Sequence, residues 1–192
     1  MRGFAHRMST QRLFVALTPP VPVRAELADL ADERLEGARW VPAENLHLTL
    51  RFIGDTDDEK REQLETALTR VRVEPFVLPV GELGVFPPRG PAKVLWAGVG
   101  RGHTRLYQLR KQVDEALLSV DMTIDVRTFS PHFTVARLGE TLDPKHLAKF
   151  LERHRQFEAP PFRVASFELY ASELRAGGAP AYRVVRTFAL EG

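Results

Sequence analysis

His47 and His132 stand 85 positions apart in this 192-residue chain, and Thr49 with Thr134 and Gly54 with Gly139 share that offset. The offset then slips to 86 and continues through Asp57 with Asp143, Pro75-Phe76 with Pro161-Phe162, and Glu82-Leu83 with Glu168-Leu169. A register held over about forty positions marks an internal duplication. The chain is therefore restricted to folds that use one unit twice. Such units pack about a pseudo-twofold axis, as the self-complementary face of a dimer does, and residues that repeat then face each other.

Strand and helix patterns alternate within each unit. Residues 13–17 (LFVAL) read as a strand and 22–36 as a helix with Val23, Leu27, Leu30 and Leu35 on one side. In 46–54 (LHLTLRFIG) alternation is strict: Leu46, Leu48, Leu50 and Phe52 face one way, His47, Thr49 and Arg51 the other. Residues 56–59 (TDDE) form a capping box for a helix carrying Leu64, Leu68 and Val71, and an extended stretch occupies 76–86. After the proline-rich break at 85–91 the order repeats: strand 94–99, helix 102–120, strand 131–139, and helix 143–154 with Asp143 as N-cap and Pro144 in its first turn. Extended segments 162–171 and 182–190 close the chain. The expected class is α+β: one domain over 11–192, built as two lobes of mainly antiparallel sheet backed by helices, with a cleft between them. The repeat units span about 11–86 and 92–171, and the closing strand 182–190 is a candidate to cross over and pair with the first. Residues 1–10 read as a loose arm, within which Met8 is a second candidate start.

The sequence contains no cysteine, which excludes a disulfide framework, a thiolate nucleophile and cysteine-held metal. The longest unbroken apolar run, Leu13–Leu17, is far too short to span a membrane. A cytoplasmic monomer is the expectation. With 27 Lys+Arg against 25 Asp+Glu, the formal charge of +2 argues against general coating of nucleic acid and leaves room for a local basic patch.

The repeated polar element is His-x-Thr: HLTL at 47–50 and HFTV at 132–135. On a strand, histidine and threonine two residues apart share a face at about 7 Å. Two such strands across an axis present two imidazoles and two hydroxyls to one cleft. That set suits in-line displacement at phosphorus. One imidazole takes a proton from the nucleophile, the other gives one to the leaving oxygen, and the hydroxyls donate to non-bridging oxygens. The chemistry needs no cofactor, and His-x-Thr offers no third ligand for a zinc ion.

On these residues the chain resembles the 2H phosphoesterase superfamily, in particular the RNA 2′,3′-cyclic phosphodiesterases also called 2′-5′ RNA ligases. The resemblance runs from RLFVAL at 12–17 through VPAENLHLTLRFIGD, KVLWAGV and PHFTVAR to the SELR…G…Y tail at 172–182. It implies a substrate of RNA with a 2′,3′-cyclic phosphate end, hydrolysed to a 2′-phosphomonoester, with reversible ATP-independent 2′-5′ joining to a 5′-hydroxyl. It also implies His47 as proton donor, His132 as proton acceptor, and Thr49 and Thr134 as phosphate-holding residues. A small-molecule cyclic nucleotide phosphodiesterase and a non-catalytic RNA- or nucleotide-binding module are the alternative readings.

Other candidates divide by strand face. Arg51 shares the face of His47 and Thr49, so it is expected to reach the cleft and hold an anion. Strict alternation puts Arg137 opposite His132 unless a bulge turns it inward; it is retained as a substrate-binding candidate. Tyr170 is a candidate to stack on a nucleobase, whereas alternation assigns Phe52 to the core. Trp40 and Trp96 are also expected in the core. The segment GVGRGH at 98–103 lacks the spacing of a dinucleotide fingerprint.

Overall fold

The computed structural model describes residues 10–100, 103–125, 128–173 and 180–192. All of the expected arm except Thr10, the Arg101-Gly102 part of the glycine-rich segment, and residues 174–179 of the tail lie outside these. Among the described residues the elements run β1 (Gln11–Leu17), α1 (Val21–Asp29), β2 (Ala38–Trp40), β3 (Leu48–Thr56), α2 (Asp58–Leu68), β4 (Phe76–Phe86), β5 (Val94–Gly98), α3 (Thr104–Leu118), β6 (His132–Leu138), α4 (Pro144–Arg153), β7 (Glu158–Val164), β8 (Ser166–Glu173) and β9 (Ala181–Ala189).

The nine strands form one antiparallel sheet in the order β7-β4-β5-β6-β3-β1-β8-β9, with β2 pairing the far end of β6. The centre is a single bridge, Leu48 opposite Phe133, two residues related by the 85-residue offset. The pseudo-twofold axis therefore passes through this pair. On one side lie β3, β1, β8 and β9; on the other lie β6, β5, β4 and β7.

The lobes are not the contiguous halves of the chain. β4 belongs by sequence to the first repeat and lies in the second lobe, whereas β8 and β9 come from the far end and complete the first. The closing strand does not pair with β1. β8 takes that place and β9 caps it as the edge.

The helices cover one face of the sheet, and the core lies between. Leu13, Val15, Leu48, Leu50, Leu95, Phe133, Val135 and Leu169 project into it and meet Leu27 of α1, Leu64 and Leu68 of α2, Leu109 and Val113 of α3, and Phe150 of α4. Each fully buried leucine contributes about 2 kcal/mol. The repeated aspartates both cap helices: Asp57 accepts from the Lys60 amide at 2.8 Å and Asp143 from the Lys145 amide at 2.8 Å. Asp57, not Thr56, is the cap of α2. Thr56 ends β3, and its hydroxyl donates to the Gly54 carbonyl at 3.1 Å.

Candidate active site

The Leu48–Phe133 bridge sets the geometry of the His-Thr pairs. One step along an antiparallel pair in that register, His47 falls beside Thr134 and Thr49 beside His132. Each histidine is anchored in the same way. His47 Nδ1 donates to the Asn45 carbonyl at 2.7 Å, and His132 Nδ1 donates to the Ser130 carbonyl at 2.7 Å. A carbonyl can only accept, so Nδ1 keeps its proton and Nε2 is left as the working nitrogen of both rings. Asn45 and Ser130 are themselves 85 residues apart. The duplication thus repeats the orienting bond as well as the imidazole.

Burial lowers the pKa of both histidines from the ordinary 6.5, and the carbonyl bonds partly offset this. His47 is lowered further by the charges of His132 and Arg137. Both rings are therefore mainly neutral at pH 7 in the free protein.

Beyond each motif the strands depart from simple alternation. β3 bulges against β1 at Leu50, where Val15 pairs Arg51 but Ala16 pairs Thr49. β6 bulges against β5 at the equivalent Val135, where Leu95 pairs Ala136 but Trp96 pairs Thr134. Each bulge puts two successive residues on the helix-covered side and inverts the phase beyond it.

Arg51 consequently does not share the face of His47 and Thr49. It is 5% exposed behind the sheet, where Nε and Nη2 grip the Asp114 carboxylate at 2.7 and 2.6 Å and Nη1 donates to the Asp125 carbonyl. Arg110 shares Asp114 at 3.1 Å and donates to the Leu50 carbonyl at the bulge. Phe52 is not in the core either. It is 71% exposed on the cleft side, with its ring 6.1 Å from Phe14. The same inversion brings Arg137 to the cleft side, between the buried Ala136 and Leu138, where its charge acts on His47 and Tyr182.

Tyr170 lies on the cleft face, stacked on Phe14 at 5.1 Å, and its hydroxyl lies 2.5 Å from that of Thr18. Thr18 in turn donates to the buried Glu168 at 3.0 Å, so the tyrosine hydroxyl is held by a chain of hydrogen bonds. Four rings that pattern reading misses or misplaces complete the walls. Phe14 and Tyr182 lie 4.9 and 5.1 Å from His47; Phe86 and Trp96 lie 5.0 and 6.4 Å from His132. Phe14 sits in the unbroken apolar run Leu13–Leu17 of β1, which shows no alternation. Tyr182 is the final tyrosine of the SELR…G…Y tail, its only signal in the sequence. Gly84 lets the Trp96 indole lie across β4, because a Cβ there would stand 2.2 Å from the ring.

Among the described residues no three His, Cys, Asp or Glu side chains are grouped to ligate a metal, and no helix is long and apolar enough to cross a membrane.

The family described as LigT like Phosphoesterase matches residues 17–96 and again 100–180. The chain belongs to this family. LigT-like relatives include the RNA 2′,3′-cyclic phosphodiesterases of Methanocaldococcus jannaschii, 29% identical over 91% of this chain and 98% of that protein, and of Archaeoglobus fulgidus, 31% identical over 92% and 99%. Among solved LigT-like structures, E. coli LigT complexed with 3′-AMP superposes with a TM-score of 0.78 at 27% identity over 95% of this chain and 99% of that one. A second solved structure, TT0787 of Thermus thermophilus, superposes at 0.76 with 29% identity over 94% and 98%.

Proposed function

We propose that this LigT-like phosphoesterase is an RNA 2′,3′-cyclic phosphodiesterase that opens the cyclic phosphate to a 2′-phosphomonoester by two-histidine acid–base catalysis. One observation carries this reading: two imidazoles, each fixed through Nδ1 to the carbonyl two residues before it, with Nε2 free on the same side of the sheet. Relatives of similar length named for this activity support the substrate class.

In the hydrolytic direction, neutral His132 takes a proton from water as the oxygen attacks phosphorus in line. The bond from phosphorus to O3′ breaks, and protonated His47 gives its proton to O3′. Thr49 and Thr134 donate to the non-bridging oxygens, where charge accumulates as the transition state forms. The cycle leaves His132 protonated and His47 neutral, and exchange with solvent restores both. A 5′-hydroxyl in the place of water gives the 2′-5′ joined product with the same proton movements. Arg137 acts as a substrate contact; Arg51, held by Asp114, does not. Tyr170, 9% exposed with its ring stacked on Phe14 and its hydroxyl held by Thr18, supports the wall and has no open face for a base. Acid and base are both supplied by side chains, so the reaction is proposed to be metal-independent.

The test is turnover of a 2′,3′-cyclic-phosphate-ended oligonucleotide in excess chelator, beside His47→Ala and His132→Ala. The expected product is a 2′-phosphate, with turnover lost in both variants. Turnover undiminished by either substitution would refute the mechanism, and turnover abolished by chelator would make this a metal enzyme.

A further inference from the structure

β2 is a three-residue strand whose middle residue, Arg39, pairs directly with Arg137 of β6. Residues directly opposite in an antiparallel pair project to the same face, with Cα atoms about 5.5 Å apart or less. The flanking residues identify which face that is. Trp40 turns toward α4, with its ring 6.0 Å from Phe150, so Arg39 projects the other way. Arg137 does likewise between buried Ala136 and Leu138. Both arginines are exposed, and among the described residues neither has an ion pair or hydrogen bond to a carboxylate.

Two like charges directly opposite each other on a sheet oppose folding. Several arginines elsewhere in the chain are neutralised, as where Arg51 and Arg110 share Asp114, Arg61 pairs Glu65, and Arg153 pairs Glu33, but Arg39 and Arg137 face each other across one strand pair with no acid between them among the described residues. The uncompensated pair lies on the cleft side of the sheet, with Arg137 three residues beyond Thr134. Paired guanidinium groups suit a phosphodiester, which they can grip through several parallel N–H donors. In the reading above His47 and His132 flank the reacting phosphate, and the arginine pair lies further along β6, where the next anion of the same substrate strand has its place.

We propose that Arg39 and Arg137 form a second phosphate subsite, which holds the phosphodiester one nucleotide upstream of the terminal cyclic phosphate and so selects RNA ends over mononucleotides. This rests on the activity proposed above and adds the part of the substrate that a cyclic mononucleotide lacks.

The experiment compares a 2′,3′-cyclic mononucleotide with a dinucleotide ending in the same cyclic phosphate. It uses the unaltered chain, Arg39→Ala, and Arg70→Ala as a control on the opposite side of the sheet. The unaltered chain is expected to prefer the dinucleotide in kcat/KM by about tenfold, as befits one charged hydrogen-bonded contact. Arg39→Ala should erase most of that preference and Arg70→Ala should leave it intact. In parallel, binding of a single-stranded RNA with a 3′-phosphate end is measured against salt. Arg39→Ala should weaken it and flatten the slope of log Kd on log salt by about 0.7, one released counterion. Preference and salt slope both unchanged in Arg39→Ala would overturn the subsite, as would an equal loss on both substrates. If neither substrate is turned over, the activity reading fails and the binding measurement alone decides the arginine pair.

Discussion

The two histidines share a frame and differ in their surroundings. His47 is enclosed by Phe14, Tyr170 and Tyr182 and feels the charge of Arg137; His132 meets Phe86 and Trp96. The positions just past the two bulges make the contrast sharper. Phe52 and Arg137 are equivalent in the repeat and both face the cleft, one as an apolar ring and the other as a cation. Behind the sheet, Arg51 and Ala136 are equivalent, one holding a buried ion pair and the other packed in the core. What is symmetric is the means of aiming two imidazoles into one cleft. What is asymmetric is the charge and shape of the cleft wall on either side.

Four measurements break or sharpen that contrast. The largest effect is expected at the symmetric part: His47→Ala and His132→Ala should each lower kcat about 10³-fold. The double variant should fall little further, because the two act as one unit; a multiplicative loss in turnover assays would mean that they act separately. Next, Arg51→Met should destabilise the fold by about 3 kcal/mol in urea titration, because it strips one partner from a buried pair and leaves Asp114 to Arg110 alone. A change below about 0.5 kcal/mol, the range of an ordinary surface substitution, would mean that the ion pair does not brace the bulge. Thr49→Val and Thr134→Val should each lower kcat about ten- to a hundredfold. Unequal losses would show that the phosphate leans toward one repeat.

The smallest effect is on pH dependence. Both histidines lie below 6.5 in the free protein, so the bell-shaped profile of kcat/KM should centre on the acid side of that value. Its two apparent constants belong to the coupled pair. Arg137→Gln removes a positive charge that disfavours protonation of His47, so the profile should move toward alkaline pH. A shift toward acid would contradict the placement of Arg137.

Much of this arrangement is legible in the sequence. The offset identifies the histidines, the threonines and the capping Asp143, and alternation places His47 and Thr49 on one face. Counting by twos fails past the bulges, because it assumes an unbroken pleat and neither bulge is marked by glycine or proline: the sequence there reads Thr49-Leu50-Arg51 and Thr134-Val135-Ala136. Strict alternation accordingly puts Arg51, Phe52 and Arg137 on the wrong faces. The walls are hidden for another reason. In β1 both faces are apolar, one against helices and one against other rings, so Phe14 cannot be told from its neighbours by hydropathy. Trp96 reads as core because only its pairing with Gly84 shows that the ring lies on the cleft side.

The reciprocal exchange of strands between lobes bears on how such a chain holds together. If the backbone were cut between Phe86 and Val94, the leading fragment would carry β4 away from the lobe that needs it, and the trailing fragment would hold the β8–β9 pair that the other lobe lacks. Neither piece could close its sheet alone. Each half holds strands that complete the sheet of the other, so the trade is made within one molecule. The halves can therefore differ in what they touch, but not separate.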